Sequence, residues 1–236
     1  MYLSKLTLNQ RSPLARRDMA NCHDLHRTLL KAFPALPEKI VDYAKQLGVL
    51  FRLEYDRKSG VPLLYVQSKP LPDWANLPKG YLLTEPPAPK LLDAAYAKLQ
   101  NGTVLSFTLK ANPTRTTGSS LKTERLAGQK RNGHRVFIAD SDEQISWLRR
   151  KGSNGGFELL SIQLDPIVPD VDVNPSIWIY GKRKVESTVA ELTFGSTVFR
   201  GHLRITEPEV FQQTLRNGIG SGKAYGFGLL SVAPAR

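Results

Sequence analysis

A glycine-rich segment near the C-terminus, residues 217–228, constrains the fold of this chain more than any other stretch. It follows a helix-like run at 208–216 and precedes an apolar run at 229–233. Its glycines and its single cation are Gly218, Gly220, Gly222, Gly226, Gly228 and Lys223. Glycine adopts positive φ without steric cost, and successive N–H groups in such a bend form a concavity that suits a phosphate. The segment predicts either a phosphate-binding loop or a plain helix cap followed by a tight turn.

This segment matches neither of the common nucleotide-binding loops. A Walker A loop requires G-x-x-x-x-G-K-[ST], but Asn217 stands at the first glycine position and Ala224 at the hydroxyl position. A dinucleotide-binding loop follows a strand and opens a helix, whereas this segment leaves a helix and enters a strand. A nucleotide-dependent phosphotransferase is therefore disfavoured, and the sequence also has no clustered carboxylates to bind Mg²⁺.

The charge of the chain points to a polyanionic partner. Lys and Arg number 33 against 21 acidic residues, which gives a net charge of +12 and a pI of about 9.9. A surplus of this size, clustered along the chain, is typical of nucleic-acid binding. The single cysteine, Cys22, excludes a disulfide framework and a Cys-rich zinc site. The N-terminus shows no signal-peptide pattern and no apolar run is long enough to cross a membrane, so a cytoplasmic protein without membrane contact is expected.

The first half of the chain has the element order β-α-β-β-α-β. Its predicted elements are a strand at 2–9, a helix at 18–33, strands at 48–56 and 61–68, a helical turn at 72–77 and a strand at 80–84. A basic connection at 11–17 precedes the helix, and the proline-rich stretch 86–89 is the best linker candidate. This order is typical of a ferredoxin-like domain.

The second half gives the same order with insertions. Its predicted elements are a strand at 104–111, a helix at 142–151 capped by Ser141, strands at 157–164, 177–182, 188–194 and 197–205, a helix at 208–216 and a final strand. Turns are predicted at 182–184 and 194–196, and the polar stretch 112–135 predicts a long functional or disordered loop. The fold class is therefore α+β, with two tandem ferredoxin-like (βαββαβ, RRM-like) domains at 1–88 and 89–236.

Two histidines lie three residues apart on the first predicted helix. Its buried stripe is formed by Cys22, Leu25, Leu29 and Phe33. His26 falls at the edge of this stripe, while His23, Arg27 and Lys31 turn towards solvent. A histidine shielded by apolar neighbours and flanked by cations titrates near or below neutrality, which suits proton transfer. The alternative is a structural histidine at the edge of the core beside a surface histidine.

Other catalytic chemistries find little support in the sequence. Two imidazoles at i and i+3 without a nearby Cys or acid provide too few ligands for zinc. No G-x-S-x-G motif supports a serine nucleophile. The sequence therefore predicts no metal and no cofactor.

Several segments together resemble the CasE family of CRISPR-associated endoribonucleases, within the repeat-associated (RAMP) superfamily. They are MYLSK at 1–5, Leu25-His26, YLL at 81–83, KANP at 110–113, EQISWLRRKG at 143–152 and the glycine-rich stretch 217–234. The similarity runs from end to end. It implies two ferredoxin-like domains and metal-independent cleavage at the base of the stem-loop in CRISPR repeat RNA. The product, with a 2′,3′-cyclic phosphate, is expected to stay bound within the Cascade complex of subunits.

The resemblance also assigns roles to residues. His26 occupies the position of the catalytic histidine, whereas His23 stands where the family usually has a tyrosine. The predicted RNA-binding residues are Arg27, Lys31, Arg115, Arg149, Arg150, Lys182, Arg183, Lys184, Gly218, Gly220, Gly222 and Lys223. Because RNA supplies its own 2′-OH nucleophile, the protein needs only to align it, transfer protons and stabilise charge. A non-catalytic RAMP subunit that only binds RNA is the alternative, since it needs the glycine loop but not His26.

The kind of RNA follows from the same residues. An A-form duplex hides its base edges in a deep major groove, so shape and phosphate contacts dominate its recognition. Aromatic residues that stack unpaired bases are sparse among the cations. The sequence therefore favours a duplex over a single strand as the bound form.

Overall fold

The computed structural model describes residues 1–34, 46–117, 134–162, 168–185 and 188–235. The strands are β1 (Tyr2–Thr7), β2 (Leu50–Tyr55), β3 (Pro62–Ser68), β4 (Lys90–Leu91), β5 (Val104–Ala111), β6 (Thr114–Thr117), β7 (His134–Phe137), β8 (Phe157–Leu159), β9 (Ser161–Ile162), β10 (Val168–Pro169), β11 (Val171–Val185), β12 (Thr188–Ile205) and β13 (Leu230–Pro234). The helices are α1 (Pro13–Ala20), α2 (Cys22–Leu29), α3 (Asp93–Tyr96), α4 (Ser141–Ser153) and α5 (Pro208–Asn217). Short 3₁₀ turns lie at Leu30–Ala32, Trp74–Asn76 and Lys223–Tyr225.

The first sheet has the strand order β2-β3-β1-β4, with every neighbouring pair antiparallel. The predicted strand pair on either side of residues 56–61 is confirmed as β2 and β3. One face of this sheet buries Leu6, Leu64 and Val66 against Leu25 and Leu29 of α2. The helix carrying the two histidines is therefore fixed to this sheet by its apolar stripe.

The fourth strand of this sheet is not the predicted one. Residues 80–84 form only an isolated bridge, between Leu8 and Leu82, and the fourth strand is β4, paired with Tyr2 and Leu3. The prolines at 86, 87 and 89 lack the N–H that a ladder requires, so pairing stops and resumes at Lys90. The pairing strand thus lies just beyond residue 88, and the domain boundary there stays a prediction.

The second sheet repeats this strand order. It runs β11-β12-β5-β13, with β8 also paired to β12, so the first strand again lies between the third and the fourth. Leu105, Phe107 and Leu109 alternate along β5 and are buried against α4 and α5. The predicted α+β class with two ferredoxin-like units is confirmed.

The predicted turn at 194–196 is wrong, because β12 is one continuous strand from Thr188 to Ile205. Gly195 lies opposite Trp178 in the β11–β12 ladder. A Cβ atom there would meet the ring of Phe137, so an aromatic side chain from another strand occupies the space that this glycine leaves open. The glycine therefore serves packing and not a change of direction.

The predicted helix at 18–33 is two helices. Ser12 accepts a hydrogen bond from the N–H of Ala15 and caps α1, which begins at Pro13, so the expected basic connection is largely helical. The chain leaves the helical region at Asn21, with φ −130° and ψ 100°, and α2 begins at Cys22. The cap of α4 is Asp140 rather than Ser141. The strand predicted at 177–182 is the longer β11, and the turn predicted at 182–184 is wrong because these residues pair with β12.

Only the two ends of the predicted loop at 112–135 fall within the described residues. There β6 and β7 form an antiparallel two-stranded ribbon, with Thr114 opposite Phe137 and Thr116 opposite Arg135. The intervening cations, at 122, 125, 130 and 131, lie outside the described residues. The strand predicted at 157–164 divides into β8 and β9, and its last two residues are also outside them.

Buried polar groups join the two sheets. The Arg52 guanidinium of β2 donates from Nη1 to the carbonyl of Leu229, at 3.1 Å, and to the hydroxyl of Ser231, at 3.0 Å. Gln67 of β3 donates from Nε2 to the carbonyl of Leu215 at 2.8 Å. These bonds fix the first sheet, and with it α2, against the helix that precedes the glycine loop and the strand that follows it.

Candidate active site

The start of α2 is set by Asn21, which also ties the helix to β11. Its Oδ1 accepts from the N–H of His23 at 3.2 Å and from the N–H of Lys182 at 3.1 Å. Its Nδ2 donates to Asp24 Oδ2 at 2.7 Å. On β11, a Cβ added to Gly181 would approach the sulfur of Cys22 to 2.8 Å. The backbone of β11 therefore lies close against the helix that carries both histidines.

His26 is more deeply placed than the helical wheel predicts, with an exposed fraction of 8%. Its ring stacks on Phe51 with centroids 6.0 Å apart. Within the described residues, Nδ1 of His26 and Oδ1 of Asn112 are the buried side-chain polar atoms without a hydrogen-bond partner. Burial, and to a smaller extent the charge of His23, lowers the pKa of His26 from 6.5 to about 4. At pH 7 the imidazole is therefore neutral and able to accept a proton.

His23 is half-buried on α2, where it faces the glycine loop. Its ring centroid is 6.4 Å from that of Tyr225, whose ring stacks on Phe194 at 4.8 Å. Burial lowers the pKa of His23, Asp24 opposes this, and Arg27 and Arg183 add to it. Arg27 is expected from the sequence to act in this direction, whereas Arg183 comes from β11 and not from the helix.

The other two predicted residues of this helix segment are exposed. Arg27 Nη1 is 3.9 Å from Asp24 Oδ1, and Lys31 lies in the 3₁₀ turn after α2. Both face solvent, as the wheel predicts. Of the two, Arg27 acts on His23, whose pKa it lowers.

The glycine loop folds back on itself beside α2. The N–H of Ile219 donates to the carbonyl of Gly228 at 2.9 Å, and a Cβ on Gly218 would lie 2.7 Å from that same carbonyl oxygen. The φ of Gly218 is 71° and that of Gly228 is 88°, values that L side chains rarely adopt. Gly226 packs on Phe51, the ring that also stacks on His26. The loop thereby reaches the histidine through a shared aromatic neighbour.

A basic cleft of about 470 Å³ opens on the other side of this loop. We use this name for the space lined by Thr114, Thr116, Arg135, Trp147, Lys151, Asn154, Gly155, Thr214, Gly218, Ile219, Gly220, Ser221 and Lys223. Burial and the neighbouring Lys151 lower the pKa of Lys223. Two neighbouring cations suit a phosphate. The N–H groups of Gly218 and Ile219 already donate to the carbonyls of Thr214 and Gly228, so phosphate binding by the loop stays a prediction that depends on the cations. Gly222 takes a different role, because it precedes the 3₁₀ turn at Lys223–Tyr225 and does not line the cleft.

The remaining predicted cations are distributed over several elements. Lys182 and Arg183 lie within β11 and not in its turn, with Lys182 Nζ 3.7 Å from Glu191. The side chain of Lys184 falls outside the described residues. Arg149 and Arg150 are exposed near the end of α4. Arg115 forms an ion pair with Glu143 at 2.8 Å, which offsets its charge.

Sequence reasoning missed several residues that the fold places here. Phe51 and Tyr225 contact the histidines from other segments, and Lys151 and Arg135 line the cleft although in the sequence they are only members of charged runs. Lys110 lies with Nζ 6.0 Å from the ring of Phe227, and burial lowers its pKa. From its place in the alternating strand β5, Lys110 is predicted only to be a polar residue on the outward face, and nothing in the sequence indicates that it is partly buried beside Phe227.

Two further features are absent from the described part of the chain. No group of three or more His, Cys, Asp or Glu side chains there could hold a metal ion. No helix there is long and apolar enough to cross a membrane.

Comparisons with known proteins agree along the whole chain. A family model described as CRISPR associated protein matches residues 1–234. The CRISPR-associated endoribonuclease Cse3 of Thermus thermophilus is 37% identical over 234 residues, covering 99% of this chain and 100% of that protein. The Cascade subunit CasE of Escherichia coli is 28% identical over 235 residues, again covering 99% and 100%.

A solved structure extends this agreement to the fold. Thermus thermophilus Cse3 bound to an RNA that represents a pre-cleavage complex has a TM-score of 0.75 and 36% identity, covering 99% of this chain and 98% of the other. The family resemblance seen in the sequence is thereby confirmed. This chain belongs to the CRISPR-associated protein family whose relatives include the endoribonuclease Cse3 and the Cascade subunit CasE.

Proposed function

We propose that this protein is a metal-independent endoribonuclease that binds the stem-loop of CRISPR repeat RNA and cleaves precursor CRISPR RNA. The observation that carries the proposal is the state of His26, a neutral, buried imidazole of α2 that has an unpartnered Nδ1 and stacks on Phe51. Buried polar atoms are normally satisfied, and an exception is typical of a catalytic position. The relative of highest identity named above is itself an endoribonuclease.

The reaction is an internal transesterification. The ribose 2′-OH attacks the adjacent phosphorus, the P–O5′ bond breaks, and the products are a 2′,3′-cyclic phosphate and a 5′-OH. Neutral His26 accepts the 2′-OH proton or, once protonated, donates one to the departing O5′. A bound phosphodiester places negative charge beside the imidazole, which raises the pKa of His26 above its value in the free protein and makes both directions accessible near neutrality.

His23 is the charged neighbour of this imidazole, and Arg27 and Arg183 act in turn on His23. A positive charge beside the scissile phosphate stabilises the pentacoordinate transition state more than the ground state. We assign Arg183 to this region because its charge already acts on His23 in the free protein. The basic cleft, with Lys223 and Lys151, holds a phosphate further along the RNA.

A non-catalytic RNA-binding subunit is the alternative function. Such a protein needs the cations and the glycine loop but has no use for an unpartnered buried imidazole. Cleavage of an end-labelled repeat stem-loop by the purified protein separates the two functions. After cleavage, the product stays with the protein in the Cascade complex, and the site of action is the cytoplasm.

Salt dependence tests the contact between β11 and RNA phosphates. Replacing Lys182 and Arg183 together by alanine is expected to weaken stem-loop binding. The plot of log affinity against log salt should flatten by about one unit, or slightly less, for each phosphate that the variant no longer binds. The matched control is Lys58→Ala, an exposed lysine in the loop between β2 and β3. An unchanged affinity and slope in the double variant would show that this part of β11 does not face RNA.

The pH profile tests the role of His23. A tyrosine, with a reference pKa of about 10, stays neutral over the range in which a histidine titrates. Because burial lowers the pKa of His23, its limb should lie below the usual range of a histidine in the wild-type profile measured at subsaturating protein, which reports the free protein. His23→Tyr is expected to retain substantial single-turnover cleavage and to lose that limb. His23→Phe is expected to cost less than His26→Ala.

Two results would contradict this role. Superimposable profiles for wild type and His23→Tyr would show that His23 does not titrate during the reaction. A His23→Phe protein as inactive as His26→Ala would make the two histidines joint catalysts.

A further inference from the structure

Two exposed aromatic side chains on β11 are not part of the site around His26. Trp178 is 51% exposed and Tyr180 is 60% exposed. Alternate residues of a strand point to opposite faces, so these two share a face and Gly181 belongs to the other. Because Gly181 lies against Cys22 of α2, the aromatic pair faces away from the histidine helix.

Phe137 links this aromatic pair to the basic cleft. Its ring centroid lies 5.7 Å from that of Trp178, and the same ring covers Gly195, the cross-strand partner of Trp178. On the β6–β7 ribbon, Phe137 lies opposite Thr114 and shares a face with Arg135. Thr114 and Arg135 line the basic cleft. The cleft and the exposed rings are therefore neighbouring parts of one surface, with Phe137 between them.

The charges on this surface favour a polyanion as its occupant. Lys182 follows Tyr180 by two residues on the same face of β11. Its side chain is largely exposed, with Nζ 3.7 Å from Glu191, which offsets part of its charge. Arg135, Lys151 and Lys223 line the cleft at the other end. Cations that follow a phosphate backbone beside exposed rings are the combination that binds unpaired nucleotides, since every base offers a face for stacking.

Duplex RNA cannot use these rings in this way. Its base faces are already stacked within the helix, and only phosphates, 2′-hydroxyls and base edges remain accessible. Trp178 and Tyr180 stand about 7 Å apart along the strand, twice the rise per residue, which lets each ring take its own base. The exposed rings therefore suit single-stranded RNA.

We propose that Trp178 and Tyr180 form a stacking platform for the unpaired RNA that flanks the repeat stem-loop, with its phosphates held in the basic cleft. The proposal rests on the function proposed above and specifies a second part of the same substrate. It also revises the expectation of duplex binding alone. Aromatics look sparse along the sequence because Phe137 and Trp178 come together only in the fold.

Tryptophan fluorescence reports on the platform directly. Of the three tryptophans in the sequence, Trp74 and Trp147 are buried, at 7% and 3% exposed, so acrylamide quenching of the emission reports mainly on Trp178. A short oligouridine, too short to form a duplex, is expected to quench the emission and to protect it from acrylamide. In Trp178→Phe this RNA-dependent change is expected to disappear. If adding the oligouridine changes neither the emission of the wild type nor its quenching by acrylamide, the proposal is overturned.

Affinity measurements with two RNAs complete the test. Both RNAs carry the repeat stem-loop with a 2′-deoxy residue at the scissile position, which prevents cleavage, and only one has an unpaired extension. The extension is expected to increase the affinity of the wild type for the RNA. Trp178→Ala is expected to lower the affinity for the extended RNA by about tenfold. Trp178→Phe keeps a stacking ring and should retain most of it. The control is Tyr55→Ala, an equally exposed aromatic of β2.

Two outcomes would overturn the platform. Equal losses for both RNAs would place Trp178 in contact with the stem or in the structural core. Unchanged RNA binding together with a loss of association with other Cascade subunits would make the rings a protein-docking surface. Failure of the proposed function is separate, because it is measured as absent cleavage of an all-ribose stem-loop by the wild type, whereas the platform is measured by binding alone.

Discussion

Replacing His26 with alanine is expected to lower the single-turnover rate of stem-loop cleavage by ~10²-fold or more, while RNA affinity barely changes. This is the usual cost of losing a general acid or base. The imidazole is buried and lies over Phe51, so few of its atoms are available for binding energy, and its contribution is confined to proton transfer. The rate is measured at saturating protein, and the affinity with an RNA that lacks the attacking 2′-OH.

A second variant and a control make this prediction specific. His26→Phe keeps a ring against Phe51 and removes only the titrating nitrogens, so it should be as inactive as His26→Ala and remain well folded. The control is His202→Ala, a partly exposed histidine of β12 that pairs with Asp170. Equal losses of rate and affinity in the His26 variants would mean that His26 is a binding or structural residue.

Replacing Arg52 with alanine is expected to lower the free energy of unfolding by about 3 kcal/mol, the low end of the cost of breaking a buried ion pair, because Glu54 keeps 27% of its side chain exposed. The Arg52 side chain is 4% exposed, its Nε lies 2.6 Å from Glu54 Oε1, and Nη1 reaches the carbonyl of Leu229. The substitution leaves Glu54 without its cation and the strand after the glycine loop without a donor. Urea denaturation followed by circular dichroism measures the loss.

An exposed ion pair of the same type serves as the control. Arg204 and Glu158 lie 3.0 Å apart with about half of each side chain exposed. Such pairs contribute about 0–1 kcal/mol, so Arg204→Ala should be nearly neutral. Similar losses for Arg52→Ala and Arg204→Ala would show that the buried network does not join the sheets energetically.

Features that depend on neighbouring residues were predictable from the sequence. The bounds of β5 and its alternation of buried and outward residues were predicted correctly, because a strand with one buried face has a period of two residues. The apolar stripe of α2 was predicted for the same reason at helical spacing. The glycine loop was predicted as a bend with positive φ angles, because its glycines are closely spaced between a helix and a strand.

Features that depend on distant partners were not predictable. Asn21 breaks the first helix because its amide binds both His23 and the backbone of Lys182, far along the chain. Gly195 stays extended because Phe137 fills its empty side. The depth of His26 comes from Phe51 on another strand, and the basic cleft combines α4, α5, the glycine loop and the β6–β7 ribbon. These contacts join residues that are far apart along the chain, so no local sequence pattern predicts them.

The chemical identity of the cleavage products tests the central claim most directly. The protein is incubated with an end-labelled repeat stem-loop in EDTA, and the ends of the fragments are analysed. Cleavage should proceed without added metal and leave a 2′,3′-cyclic phosphate on the upstream fragment and a 5′-OH on the downstream one, because the 2′-OH is the nucleophile and His26 moves the protons. A requirement for added Mg²⁺, or an upstream fragment ending in a 3′-OH, would contradict the account.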